Sequence, residues 1–224
     1  MFKNLLSFWK GKDFLSDVFS DFKGMLDDSE VMFKAVCGHL LGNTDEPDLK
    51  QRIYDIDKKV NLLQRHIRKR IVEHLSLQPT VDVTACLLLM SVVKDAERLG
   101  DYCKNLYQVS EFLQRPLDGA LFKRYFDELD KDILGLFGQT KDAFIGADEE
   151  KAKSTWDDHR RINKLCDKIV EDLIHSDLKV DEAVCLALIA RYFKRIVSHL
   201  VNIATSVVLP LSDLDYFDER ISAE

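Results

Sequence analysis

The chain has 224 residues, 46% hydrophobic and 32% charged, enough to bury a core as one compact domain or two small ones. With only 4 Pro and 9 Gly it has too few turn-formers for an all-β fold, and its formal charge of −7 argues against DNA or RNA as a main partner. It contains no long apolar run of membrane-spanning length, and the start MFKNLLSFWKGK is too short and interrupted for a secretory signal; a cytoplasmic protein is expected.

Six long helices are predicted in chain order. The first runs from Asp13 to Leu41 and stops at Gly42. Thr44 or Asp45 can cap the second, with Pro47 in its first turn, where a missing N–H costs nothing; it continues to Leu77. Pro79 then breaks the chain and Thr80 caps the third helix, which ends near Leu113. Arg115-Pro116 opens a fourth that Gly146 closes, with Gly135 and Gly138 inside it, read as sites of close helix packing. The fifth spans Asp148 to Ile174, and the sixth runs from Val180 to Leu209, where Pro210 stops it. Helices of about thirty residues are some 45 Å long and fold three to a bundle. The fold class is therefore all-α, either two bundles or one repeated bundle pair. The tail PLSDLDYFDERISAE has too little apolar content for a further core helix.

The third and sixth helices read as two copies of one segment. Leu88, Val92, Ala96, Leu99, Cys103 and Leu106 align with Cys185, Ile189, Phe193, Ile196, Leu200 and Ile203, and both sets keep the apolar stripe of a buried helix. The repeat extends to the preceding helices, where Ile53, Ile56, Val60, Leu63, Ile67 and Ile71 answer to Ile162, Leu165, Ile169 and Leu173. The spacing from Asn163 to Lys194 is shorter than that from Asn61 to Glu97, and the shortfall is assigned to the 175–179 turn.

Only the first copy carries acids beside its stripe. Glu97 and Asp101 stand one turn apart on the third helix, as do Asp57 and Asn61 on the second. If these helices are neighbours, four oxygen-bearing side chains converge on one patch, suited to a divalent cation or iron. The plain alternative is a solvated face of surface ion pairs, since Lys94 and Arg98 are close by. A ferritin-type di-iron site needs Glu-x-x-His motifs, and only a solitary Asp172-x-x-His175 is found. The six histidines are scattered, mostly on polar or boundary faces, and no nucleophile or phosphate-loop motif occurs, so an enzyme is not expected.

Three other features have simple readings. Cys37, Cys86, Cys103, Cys166 and Cys185 lack metal or redox spacing and are expected as small buried hydrophobes. The basic run Arg65, His66, Arg68, Lys69 and Arg70 reads as a solvated face paired with nearby acids, or as a dock for an acidic partner or phosphate groups. Phe2, Leu5, Leu6, Phe8 and Trp9 form an apolar cluster that caps the bundle's end or meets a partner or membrane surface.

At Glu97-Arg98-Leu99-Gly100-Asp101 the chain resembles the PhoU family of phosphate-signalling proteins, whose third helix carries E-R-I-G-D. Asp57-Lys58-Lys59-Val60-Asn61 is similar to the family's D-K-x-V-[ND], and Arg191-Tyr192-Phe193-Lys194-Arg195-Ile196 with His199, Asn202, Ile203 and Ala204 resembles R-Y-L-E-R-I-G-D-H-x-x-N-I-A. The resemblance covers 13–209. It implies two tandem three-helix bundles, 1–114 and 115–210, followed by a tail at 211–224. It also implies a divalent metal or iron on Glu97 and Asp101, with Asp57 and Asn61 from the second helix. The implied role is a cytoplasmic adaptor, a homodimer, linking a phosphate transporter to a sensor histidine kinase, with membrane contact only through those partners. The second copy departs from the pattern: His159 replaces the aspartate, Lys194 the glutamate, Val197 the glycine and Ser198 the second aspartate. An ammonium group there opposes a metal and suggests that Lys194 pairs with Asp158 or a neighbouring acid. Such a divergent member leaves two alternatives open, a metal-binding bundle with a storage or stress role and service to another transporter, such as a sodium–phosphate carrier.

Overall fold

Among the described residues, apolar positions three and four apart give seven α-helices and one short 3-10 turn, with no strand. The computed structural model describes residues 13–42, 46–113 and 117–216. The helices are α1 (Asp13–Leu40), α2 (Leu49–Leu77), α3 (Val83–Leu113), α4 (Gly119–Phe126), α5 (Leu129–Gly146), α6 (Glu149–Ile174) and α7 (Val180–Thr205). The 3-10 turn is Leu211–Asp213. The apolar N-terminal cluster and the proposed Thr44 or Asp45 cap lie outside the described residues.

Helices α1, α2 and α3 pack on one another, and α5, α6 and α7 do the same. Their seam is made by α3 against α7 and α1 against α5. Contacts of Asp95 with His199 and Asn202, and of Tyr102 with Arg195 and Tyr192, show that α3 and α7 run antiparallel. One apolar core runs through both bundles. Phe33 of α1 meets Phe137 of α5 at 5.7 Å and Phe193 of α7 at 5.6 Å between ring centroids, and Phe22 meets Phe144 at 4.8 Å. Every residue of the two aligned stripes on α3 and α7 is buried.

Local chemistry explains several helix ends. Gly42 has φ 68, the left-handed conformation that closes α1 without a Cβ clash, and the Leu117 amide donates to the Leu40 carbonyl at 3.0 Å. The Asp148 carboxylate accepts from the Glu150 and Lys151 amides, and Asp118 accepts from the Ala120 amide, so both cap a helix start.

Five expectations need correction. The predicted fourth helix is interrupted at Asp127, whose φ of 50 divides α4 from α5. The apolar stripe Phe122, Phe126, Leu129, Ile133, Phe137 passes through this break unaltered, so periodicity could not mark it. Pro47 and Thr80 lie in turns ahead of α2 and α3, neither inside a helix nor capping one. The last helix ends at Thr205 instead of Leu209. A continued helix would press Pro210 against the carbonyl of Ser206, and the chain tightens beforehand: the Val207 and Val208 amides bond three residues back. A Cβ on Gly135 or Gly138 would meet nothing within 4 Å, so neither glycine serves close packing. The connections 78–82 and 175–179 are equally long. The shortfall of the second repeat lies in its helix: 16 residues take Asn61 to Leu77, but 11 take Asn163 to Ile174.

Candidate functional site

Helices α2 and α3 bring the four predicted residues onto one patch. Gly100 lies where the two helices meet: a Cβ there would make ordinary contacts, 3.7 Å from Val60 and 3.8 Å from an Asp57 oxygen. Asp57 is buried, and Asn61, Glu97 and Asp101 are partly so. Asn61 turns its Nδ2 toward Asp57 Oδ2 at 3.4 Å, presenting a donor to the patch. Burial raises the Glu97 carboxyl above its ordinary value, aided by the charges of Asp101 and Asp57 and opposed by Arg98 and Arg68.

A fifth residue, absent from the sequence reading, sits among them. Lys104 Nζ lies 2.9 Å from Asp57 Oδ2 and 3.1 Å from Asp101 Oδ1. Asp101 also accepts from Arg98 at 2.9 Å. Burial alone would lower the Lys104 ammonium, but hydrogen bonds and charge from Asp57 and Asp101 outweigh it and hold it above its usual value. The sequence signal was available: Lys104 follows Asp101 by three residues, on the same face of α3. Its second partner, 47 positions away, was not.

Do these residues fit a metal? Hard cations need several unencumbered oxygens at about 2.0–2.6 Å. Here Asp57 and Asp101 are both bridged by an ammonium, and Asn61 offers nitrogen. Among the described residues, no three His, Cys, Asp or Glu side chains form a group that could hold a metal ion. The arrangement found does not fit one.

The corresponding positions on α6 and α7 also include a lysine that pairs with an acid. Lys194 Nζ lies 2.6 and 2.7 Å from the two Asp167 oxygens. Its partner is thus Asp167, whereas Asp158 pairs with Arg161 at 3.3 Å. The Asn163 amide and His159 Nε2 are 2.8 Å apart, with the Ser198 hydroxyl 3.4 Å from the same nitrogen.

A second polar centre, also missed, lies on the seam. His199 Nδ1 is 2.7 Å from Asp95 Oδ1, and the Asn202 amide donates to that oxygen at 3.2 Å. Both residues are buried, so His199 is not among the histidines on polar or boundary faces. Arg195 donates to the Tyr102 hydroxyl at 3.1 Å, tying the same helices together one turn further on.

The reading of the cysteines as buried holds, and three members of the basic run pair with nearby acids. All five cysteines are buried, and burial pushes the Cys86 and Cys166 thiols up to about 11 and about 12. The basic run is tied mainly to α1: His66 sits 2.7 Å from Asp21, Arg70 sits 3.2 Å from Asp17, and Lys69 faces Glu73 at 3.7 Å. No described helix is long and apolar enough to cross a membrane.

The PhoU domain model matches residues 22–109 and again 126–207. A phosphate-specific transport system accessory protein PhoU homolog of Synechocystis sp. is 28% identical over 190 residues, covering 80% of each chain. The crystal structure of PhoU from Pseudomonas aeruginosa superposes with a TM-score of 0.74 at 21% identity, covering 87% of this chain and 95% of that one. The phosphate transport system regulatory protein PhoU from Streptococcus pneumoniae gives 0.70 at 17% identity, with 88% and 95% covered. At these identities, the two structures establish a shared fold.

Proposed function

This chain belongs to the PhoU family, and from that premise we propose that it is an accessory regulator of phosphate transport, acting through protein contacts without catalysing a reaction. In this reading the protein is cytoplasmic, docks on components of a phosphate transporter and on a sensor histidine kinase, and works as a homodimer. The observation that carries it is the double domain match, which falls on both bundles of one continuous core. An adaptor needs rigid helical faces at a fixed separation, and long helices sharing a core supply them.

Affinity capture of the tagged chain from cells grown with scarce and with plentiful phosphate tests the reading. Recovery of phosphate-transporter subunits or a histidine kinase, identified by mass spectrometry, is the expected result. If neither is recovered in either condition, the adaptor reading fails. Light scattering on the purified chain checks the dimer, which requires twice the monomer mass.

A further inference from the structure

In each bundle the second and third helices are bridged by a lysine of the third. Lys104 reaches across to Asp57, and Lys194 reaches across to Asp167. The first bridge is the more enclosed: side-chain exposure is 21% for Lys104 and 11% for Asp57. Its ammonium also touches Asp101, so one cation neutralises a carboxylate from each helix.

We propose that Lys104 is the resident counter-ion of the α2–α3 acidic patch, holding the position between Asp57 and Asp101 that a divalent cation would otherwise compete for. The chain is therefore built to be stable without metal. Three observations carry this inference. The ammonium lies within hydrogen-bond distance of both carboxylates at once. Arg98 takes the remaining oxygen of Asp101, and Asn61 directs a nitrogen to Asp57. The other bundle also joins its second and third helices by a lysine, Lys194, which stands where the first repeat has Glu97 and meets the exposed Asp167. With Lys104 and Arg98 in place, the three acids of the patch retain a single excess negative charge, which attracts a divalent ion far less than three would. To enter, a metal must first displace an ammonium that is largely removed from water and hydrogen-bonded on two sides. The inference concerns the isolated chain and does not depend on the adaptor reading.

Thermal unfolding of the full chain, in chelator and in excess Mn²⁺, tests it with no partner present. The melting temperature of the unaltered chain should be the same in both, within about 1 °C. Lys104→Gln keeps the length and polarity of the side chain but removes the charge. In chelator this variant should melt several degrees lower, and Mn²⁺ should raise it by about 5 °C. Adding Asp57→Asn to Lys104→Gln should abolish the Mn²⁺ response. A melting temperature of the unaltered chain that rises with Mn²⁺ as much as the variant's would overturn the proposal. So would a Lys104→Gln chain indifferent to Mn²⁺, since its lysine would then be an ordinary ion pair and no stand-in for a metal.

Discussion

Lys141 on α5 reaches α1 with one ammonium, lying 2.9 Å from Asp27 and also contacting Glu30. Burial by itself would raise the Asp27 carboxyl, but hydrogen bonds from Lys23 and Lys141 outweigh it and hold it below the usual 3.8. A carboxylate depressed in the folded chain binds protons more readily once unfolded, so it stabilises above its ordinary value and stops doing so as pH falls through its folded one. Asp27 is 41% exposed on its side chain, and solvent screening limits the effect to about 1 kcal/mol or less. Asp27→Asn should therefore lower stability to urea more at pH 7 than at about pH 3. An equal gap at the two values would mean that the carboxylate's charge is not what matters. The same scale shows what sequence could offer: the i,i+4 pair of Lys23 and Asp27 was there to be seen, while the partnership with Lys141 joins residues 114 positions apart.

At the scale of elements, the α4–α5 segment departs most from its sequence pattern. Its apolar stripe is continuous, yet the chain turns at Asp127, and Phe126 comes edge-on to Phe193 at 5.7 Å. No glycine or proline marks that turn; tertiary packing sets it. The glycines that do occur nearby serve neither a turn nor a close approach, since Gly135 and Gly138 lie inside α5 facing open space. Glycine in a helix interior costs about 1 kcal/mol relative to alanine through its greater backbone freedom when unfolded. Gly135→Ala and Gly138→Ala should each raise stability by about that amount in urea titration. A loss in either variant would place something against that face of α5, in the native assembly or within the chain.

Across the whole molecule, the two bundles share too much interior to behave as separate units. Phe193 of α7 is fully buried against Phe33 of α1, and α3 and α7 enclose Asp95, His199 and Asn202 between them. Calorimetry should consequently show one unfolding transition. Asp95→Ala leaves the buried His199 and the partly buried Asn202 without their shared acceptor, at a cost of about 2 kcal/mol. Because the pair spans the seam, the variant should shift the entire transition to lower temperature. Two resolved transitions, with only one of them moved, would show instead that the bundles fold independently.

The sequence by itself determined the all-α class, the positions of most helices, the repeat and the family, because three-and-four spacing is a local property of helices and survives divergence. It also placed Asp57 beside Asn61 and Glu97 beside Asp101, each pair one turn apart on its own helix, since i,i+4 neighbours need only helical geometry. Tertiary structure alone decided which cation those acids meet, where α4 gives way to α5, and that Asp95 is buried against His199. Each of those outcomes rests on charge or packing between residues far apart in the chain, and helical periodicity carries no record of such distances.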